Sequence, residues 1–248
     1  MNVEELKEHA KNVRRNILRA VYSGQSGHPG GSLSSADVLT YLYFEVMDIH
    51  AENVKGIDRD RFVLSKGHIT PGLYGVLAEK GFLSEADIET FRHFGSKLQG
   101  HPNMNYIDAV DMSTGSLGQG VSCAVGMALA NKLDGNAHRI YALLGDGECQ
   151  EGEVWEAAMA AAHYGLDNLT WMVDCNHLQI DGRVEDVMNV YPLDKKFEGF
   201  GFEVIKACGH DFDAIKAAFD YALSVKRKPS VILWNTTKGK GVSFMEDR

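Results

Sequence analysis

The chain has 248 residues and a formal net charge of −9, long enough for one large α/β domain with a substantial core and too acidic for general binding to a phosphate backbone, which sets nucleic acid aside as a partner. No apolar run is long enough to span a bilayer, so no membrane is expected, and the amino-terminal MNVEELKEHAKNVRRNIL reads as an amphipathic helix with early acids rather than a signal peptide. Cys123, Cys149, Cys175 and Cys208 lie far apart without a C-x-x-C pair, so reduced thiols and a cytoplasmic location are expected.

Val3, Leu6, Ala10, Val13, Ile17 and Val21 recur at helical spacing and predict a helix ending near Gly24. The stretch from Ser26 to Ser32 (SGHPGGS) follows, with three glycines and one proline specifying a bent loop around His28. Ser34-Ser35-Ala36-Asp37 offers a capping box for a helix through about Met47. Arg61 to Ser65 (RFVLS) is a short buried strand candidate delivering Lys66-Gly67-His68. Helices are expected over Pro71 to Lys80 and over Ser84 to Phe94, the second capped by Ser84 with Asp87. A third glycine-histidine pair stands at Gly100-His101-Pro102. A lone histidine is ordinarily a hydrogen-bonded loop residue, but three in ordered loops suggest a lined pocket. Their wide spacing does not suggest zinc.

Thr114 to Gly120 (TGSLGQG) runs into a small-residue helix from about Val121 to Leu133. Amides at such a helix start can hold an anion, and the glycines let a flat ring approach the main chain; close helix packing is the alternative. Arg139 to Leu144 (RIYALL) reads as a buried strand ending in Gly145-Asp146-Gly147, and Glu151 to Tyr164 as an Ala-rich helix. Leu169 to Val173 (LTWMV) is then a second strand, ending at Asp174-Cys175-Asn176. If these strands are parallel neighbours, Asp146 and Asn176 emerge at one sheet edge despite the 28 residues between Gly147 and Asn176. A Gly-Asp-Gly alone is also an ordinary tight turn. With the spaced asparagine it suits a hard divalent cation, ligated by Asp146, Asn176 and a carbonyl near Leu178, with phosphate oxygens completing the shell.

Gln179-Ile180-Asp181-Gly182 closes another turn, Glu203 to Ala207 resembles a strand and Asp213 to Val225 a helix, with His210 in loop and cap structure. Ser230 to Asn235 (SVILWN) is the final buried strand, followed by the polar loop TTKGKG from Thr236 to Gly241. Alternating strands and helices predict an α/β fold, a parallel sheet flanked by helices.

The order SGHPGGS, SKGH, GHP, TGSLGQG, GDG, DCN, IDG and TTKGKGVSF resembles the amino-terminal, diphosphate-binding domain of transketolase over essentially the whole chain. The family's usual Asn-Asn is Cys175-Asn176 here, so only the second asparagine carries over, and His101 is followed by Pro102-Asn103 where Pro-Glu is common. The resemblance implies a thiamine diphosphate-binding fold spanning residues 1–248. It makes Asp146, Asn176 and the Leu178 carbonyl ligands of Mg²⁺ or Ca²⁺. Gly147 and His68 would lie by the diphosphate, and Gly115 and Leu117 along the aminopyrimidine. His28 and His101 would face the sugar and assist proton transfer, while Glu151 and Glu156 match acids placed at the subunit interface.

The same resemblance implies ketol transfer between sugar phosphates by the amino-terminal subunit of a split transketolase. The pyrimidine-binding and carboxyl-terminal domains are expected on a separate chain, as a heterotetramer of two copies of each. Two alternatives stay open: the same cofactor acting on a sulfosugar or branched-sugar phosphate, and a non-catalytic stabilising subunit.

Overall fold

In the computed structural model, which describes residues 1–180 and 182–247, the apolar runs line up as one five-stranded parallel sheet. The strands are β1 (Arg61–Leu64), β2 (Ile140–Gly145), β3 (Leu169–Cys175), β6 (Glu203–Cys208) and β7 (Ser230–Asn235), in spatial order β1-β2-β3-β7-β6. Two short strands, β4 (Leu178–Gln179) and β5 (Gly182–Arg183), pair antiparallel beside it. Asp181, in the turn expected between them, lies outside the described residues. β3 is buried along its whole length, as a central strand covered on both faces must be.

Successive strand residues point to opposite faces, and they divide between two cores. Phe62, Leu64, Tyr141, Leu143, Met172, Ile232 and Trp234 join α1 (Val3–Gly24), α3 (Ala36–Tyr41), α4 (Thr70–Glu79) and α10 (Phe212–Ser224) on one side. Val63, Ala142, Leu144, Trp171, Val173 and Leu233 pack on the other against α6 (Gln119–Leu133), α7 (Gly152–His163) and α9 (Leu193–Gly199). Each fully buried Leu, Ile or Val contributes about 1.5–3 kcal/mol. The crossovers through α6, α7 and α9 all step the same way across the sheet and share a face. The step back from β6 to β7 runs through α10 on the opposite face, as right-handed connections require. Hence the chain leaves β3 towards one face and β7 towards the other, which opens a crevice between their carboxyl ends. Among the described residues, no helix is long and apolar enough to cross a membrane.

The structure corrects three local expectations. SGHPGGS is not all loop, because Pro29, pre-set for a first helical turn, opens α2 (Pro29–Ser34). The capping box at Ser34–Asp37 does not form: α3 starts without a side-chain cap and passes into a wider turn over Leu42–Val46 before Met47. The Ser34 and Ser35 hydroxyls are committed to Asp174 instead, and Asp37 to Arg14 and His210. The third concerns Ser84 to Phe94. Ser84 and Asp87 do cap one another, yet α5 is only Glu85–Ile88, and Arg92 adopts φ 59°, a left-handed conformation that a helix cannot contain.

Candidate functional site

The register of the sheet sets the site. Gly145 of β2 stands opposite Asp174 of β3, and Cys175 of β3 opposite Asn235 of β7. Asp146, Asn176 and Thr236, each the next residue along its strand, therefore meet at one edge, and the expected pairing of Asp146 with Asn176 holds. Leu178 opens β4 at the same edge, and its N–H donates to Asn176 Oδ1 at 3.1 Å.

Two carboxylates here are equally buried and oppositely balanced. Asp174, 1 % exposed, accepts from Lys66 Nζ at 2.5 Å, Ser34 Oγ at 2.5 Å and Asn176 Nδ2 at 2.9 Å on Oδ2, and from the Thr236 hydroxyl on Oδ1. Burial alone would raise its pKa, but the Lys66 ammonium and the hydroxyls outweigh burial and hold the carboxyl below the ordinary aspartate range. Asp146, 2 % exposed, accepts from Gly147 N at 2.8 Å on Oδ1, and from His177 N at 2.8 Å and Tyr191 OH at 2.9 Å on Oδ2. All three donors are neutral, and among the described residues no Lys or Arg pairs with it. Burial, then the neighbouring Asp174 charge, push its carboxyl upward.

A buried carboxylate without a counter-charge is costly, and a divalent cation bound here would supply the missing charge. Asp146, the Asn176 amide oxygen and the Leu178 carbonyl are hard oxygen donors of the kind Mg²⁺ and Ca²⁺ take. The residues present therefore fit such an ion.

The glycine-rich loops are tied to this edge by Glu148, a residue to which the sequence motifs assign no role. Its Oε1 accepts from Ser65 Oγ at 2.5 Å and Gly118 N at 3.0 Å, and its Oε2 from Gly145 N at 3.1 Å. One buried side chain thus binds the SKGH, TGSLGQG and GDG segments together, with Leu117 half-buried immediately before Gly118. His28 and His68 meet edge to face with ring centroids 5.0 Å apart. The His101 ring lies against Gly115, whose φ of 137° and lack of a Cβ permit that approach. Burial, then the Lys66 charge, push the His68 imidazole down to about 3; burial and Arg92 lower that of His28. The lowering favours the neutral ring, which can donate or accept without bringing charge. His28 and His68 are brought together, and His101 is linked to their loops through Gly115, which packs against Gly67.

Glu151 and Glu156 are exposed at and beyond the start of α7, and Glu151 packs beside Gly118 without capping its helix. His210 does more than fill a cap, which Asp211 provides. Its Nε2 accepts from Thr237 N at 2.9 Å, so the proton sits on Nδ1 and donates to Asp37 at 2.8 Å. This fixes the loop that carries Thr236 to Asp174. Lys66, Glu148, Asp174, Tyr191 and Thr236 escaped sequence reasoning as site residues. The available signal was a charge at the end of an otherwise apolar strand, as at Asp174 and Lys66.

A protein-family model described as "Transketolase, thiamine diphosphate binding domain" matches residues 6–247. One subunit of the apulose-4-phosphate transketolase of Phocaeicola vulgatus is 42% identical over 246 residues, covering 99% of this chain and 87% of that one. The 6-deoxy-6-sulfo-D-fructose transketolase subunit SqwG of a Clostridium species is 44% identical over 244 residues, covering 98% and 89%. Among solved structures, the transketolase of Campylobacter jejuni superposes with a TM-score of 0.93 at 37% identity over 99% of this chain. The chain spans 40% of that protein's length.

Proposed function

The chain belongs to the transketolase family, and on that premise we propose that it is the diphosphate-holding subunit of a two-chain transketolase, which moves a two-carbon ketol unit from a ketose phosphate to an aldose phosphate. The observation that carries this reading is the Asp146 carboxylate, buried beside Asn176 at the sheet edge with no paired Lys or Arg among the described residues. Asp146, Asn176 and the Leu178 carbonyl hold Mg²⁺. Gly147 and His68 adjoin the diphosphate, and Gly115 and Leu117 line the aminopyrimidine. Bound thiamine diphosphate supplies the electron sink for breaking the bond next to a ketose carbonyl. His28 and His101 hold and move protons on the sugar hydroxyls, a role suited to imidazoles, whose two nitrogens can donate and accept.

The partner chain carries the pyrimidine-binding domain, with two copies of each chain in the assembly and Glu151 and Glu156 facing the junction. The Phocaeicola relative, named as one lettered subunit of its transketolase, supports the existence of a partner chain. Four free cysteines suit a reducing cytoplasm.

A second reading concerns only the sugar, since relatives at 42% and 44% identity are named for apulose 4-phosphate and 6-deoxy-6-sulfo-D-fructose. The test is a donor panel. The purified chain, its partner, thiamine diphosphate and Mg²⁺ are assayed with xylulose 5-phosphate and those two sugars as donors and ribose 5-phosphate as acceptor. Transfer from xylulose 5-phosphate is expected; transfer confined to the others would reassign the substrate. No transfer from any donor would contradict the proposed activity.

A further inference from the structure

Tyr191 has no role in the proposed transfer, yet its hydroxyl lies 2.9 Å from Asp146 Oδ2. An ionised carboxylate offers about four lone-pair positions, two on each oxygen. On Asp146, the His177 N–H and the Tyr191 O–H take both positions on Oδ2, and the Gly147 N–H takes one on Oδ1. One position remains, on Oδ1. Asn176 is similarly restricted: Leu178 N donates to its Oδ1, and its Nδ2 is spent on Asp174.

Tyr191 is held for this task. Its ring stacks on His177 with centroids 4.8 Å and planes 20° apart, and its backbone N–H donates to Asn189 Oδ1 at 2.9 Å.

We propose that Tyr191 is a positioning residue that sets which cation this site prefers: by closing Oδ2 it confines Asp146 to ligation through one oxygen, the mode that suits Mg²⁺ over Ca²⁺. Mg²⁺ demands near-octahedral geometry with compact, singly bound ligands, whereas Ca²⁺ accepts six to eight oxygens and takes carboxylates through both. The inference rests on the assignment of a divalent cation to Asp146 and Asn176. Tyr191→Phe keeps the ring and its stack and removes only the hydroxyl. The freed position on Oδ2 then lets the carboxylate turn and chelate.

The test uses the full chain with thiamine diphosphate and Mn²⁺ as the paramagnetic probe, displaced by Mg²⁺ or by Ca²⁺ and followed by electron paramagnetic resonance. In Tyr191→Phe the Mg²⁺ affinity is expected to fall by about tenfold and the Ca²⁺ affinity by no more than about twofold, in the range of effects from groups that orient metal ligands. Thermal unfolding of the cofactor-free variant is expected to match the parent. Equal losses for the two ions, or none, would overturn the role of Tyr191. Should the variant fail to fold, the parent protein decides: Mg²⁺ displacing Mn²⁺ at lower concentration than Ca²⁺ supports the proposal, and the reverse order refutes it. A parent chain that binds no Mn²⁺ would overturn the cation assignment itself, and with it the role of Tyr191.

Discussion

Asp146→Ala is expected to weaken Mg²⁺-dependent binding of thiamine diphosphate by about a hundredfold or more, and the rate of the reconstituted enzyme with it. The substitution removes a buried carboxylate that no Lys or Arg pairs with among the described residues, and the acceptor shared by Gly147 N, His177 N and Tyr191 OH. The His177 N–H holds the first turn after β3 against the first turn after β2, and the Tyr191 hydroxyl ties in the loop before α9, so the deletion also loosens Asn176 and Leu178. Titration calorimetry of thiamine diphosphate with and without Mg²⁺ separates the two effects. Loss of binding only when Mg²⁺ is present identifies Asp146 with the cation. A variant that retains the parent's Mg²⁺-dependent affinity would show that Asp146 does not hold it.

The second large effect is on stability. Lys66 and Asp174 form an ion pair in which each side chain is 2 % exposed. Removing one partner from such a pair strands the other charge in the interior and costs about 3–5 kcal/mol. Lys66→Met is expected to lose that much in urea unfolding, followed by the emission of buried Trp171 and Trp234. For a chain of this length the thermal midpoint should fall by about 10 °C. The double variant Lys66→Met/Asp174→Asn should recover a large part of the loss, because the amide no longer needs a cation. A single variant as stable as the parent would mean that the hydroxyls of Ser34, Ser35 and Thr236 solvate Asp174 unaided.

These two residues also mark where the amino-acid sequence stops being readable. The strands carrying Gly145 and Asp174 are legible because each is a continuous apolar run closed by glycine or polar residues, a local signal. The site was legible to the extent that chemistry sits at strand ends, as with Asp146 and Asn176. The Lys66–Asp174 pair spans 108 positions and the Ser65–Glu148 hydrogen bond 83. A charge closing an apolar strand marks Lys66 and Asp174 as unusual, but nothing within either local window names the distant partner. Tyr191 reaches Asp146 across 45 positions, and in sequence it is only the residue before a proline.

Local signals misled where a distant partner competed for the same atoms. Ser34 to Asp37 has the composition of a helix cap, but Asp174 takes the serine hydroxyls while Arg14 and His210 take Asp37. At Asp87 the distant partner, Lys97, takes only Oδ1, which leaves Oδ2 for Ser84, and the cap forms. The helix beyond it is nonetheless short, since Arg92 donates its backbone N–H to Leu98 O and its guanidinium to Ser26 in a left-handed turn.

The central claim is that this chain holds the diphosphate and the cation while a second chain completes the catalytic centre. Its most direct measurement is the rate of ketol transfer at a fixed concentration of this chain, with saturating thiamine diphosphate and Mg²⁺, as the pyrimidine-domain partner is titrated in. The expected rate is zero without partner, rising to a plateau at one partner per chain. Full turnover by this chain alone would contradict the division of the site between two subunits.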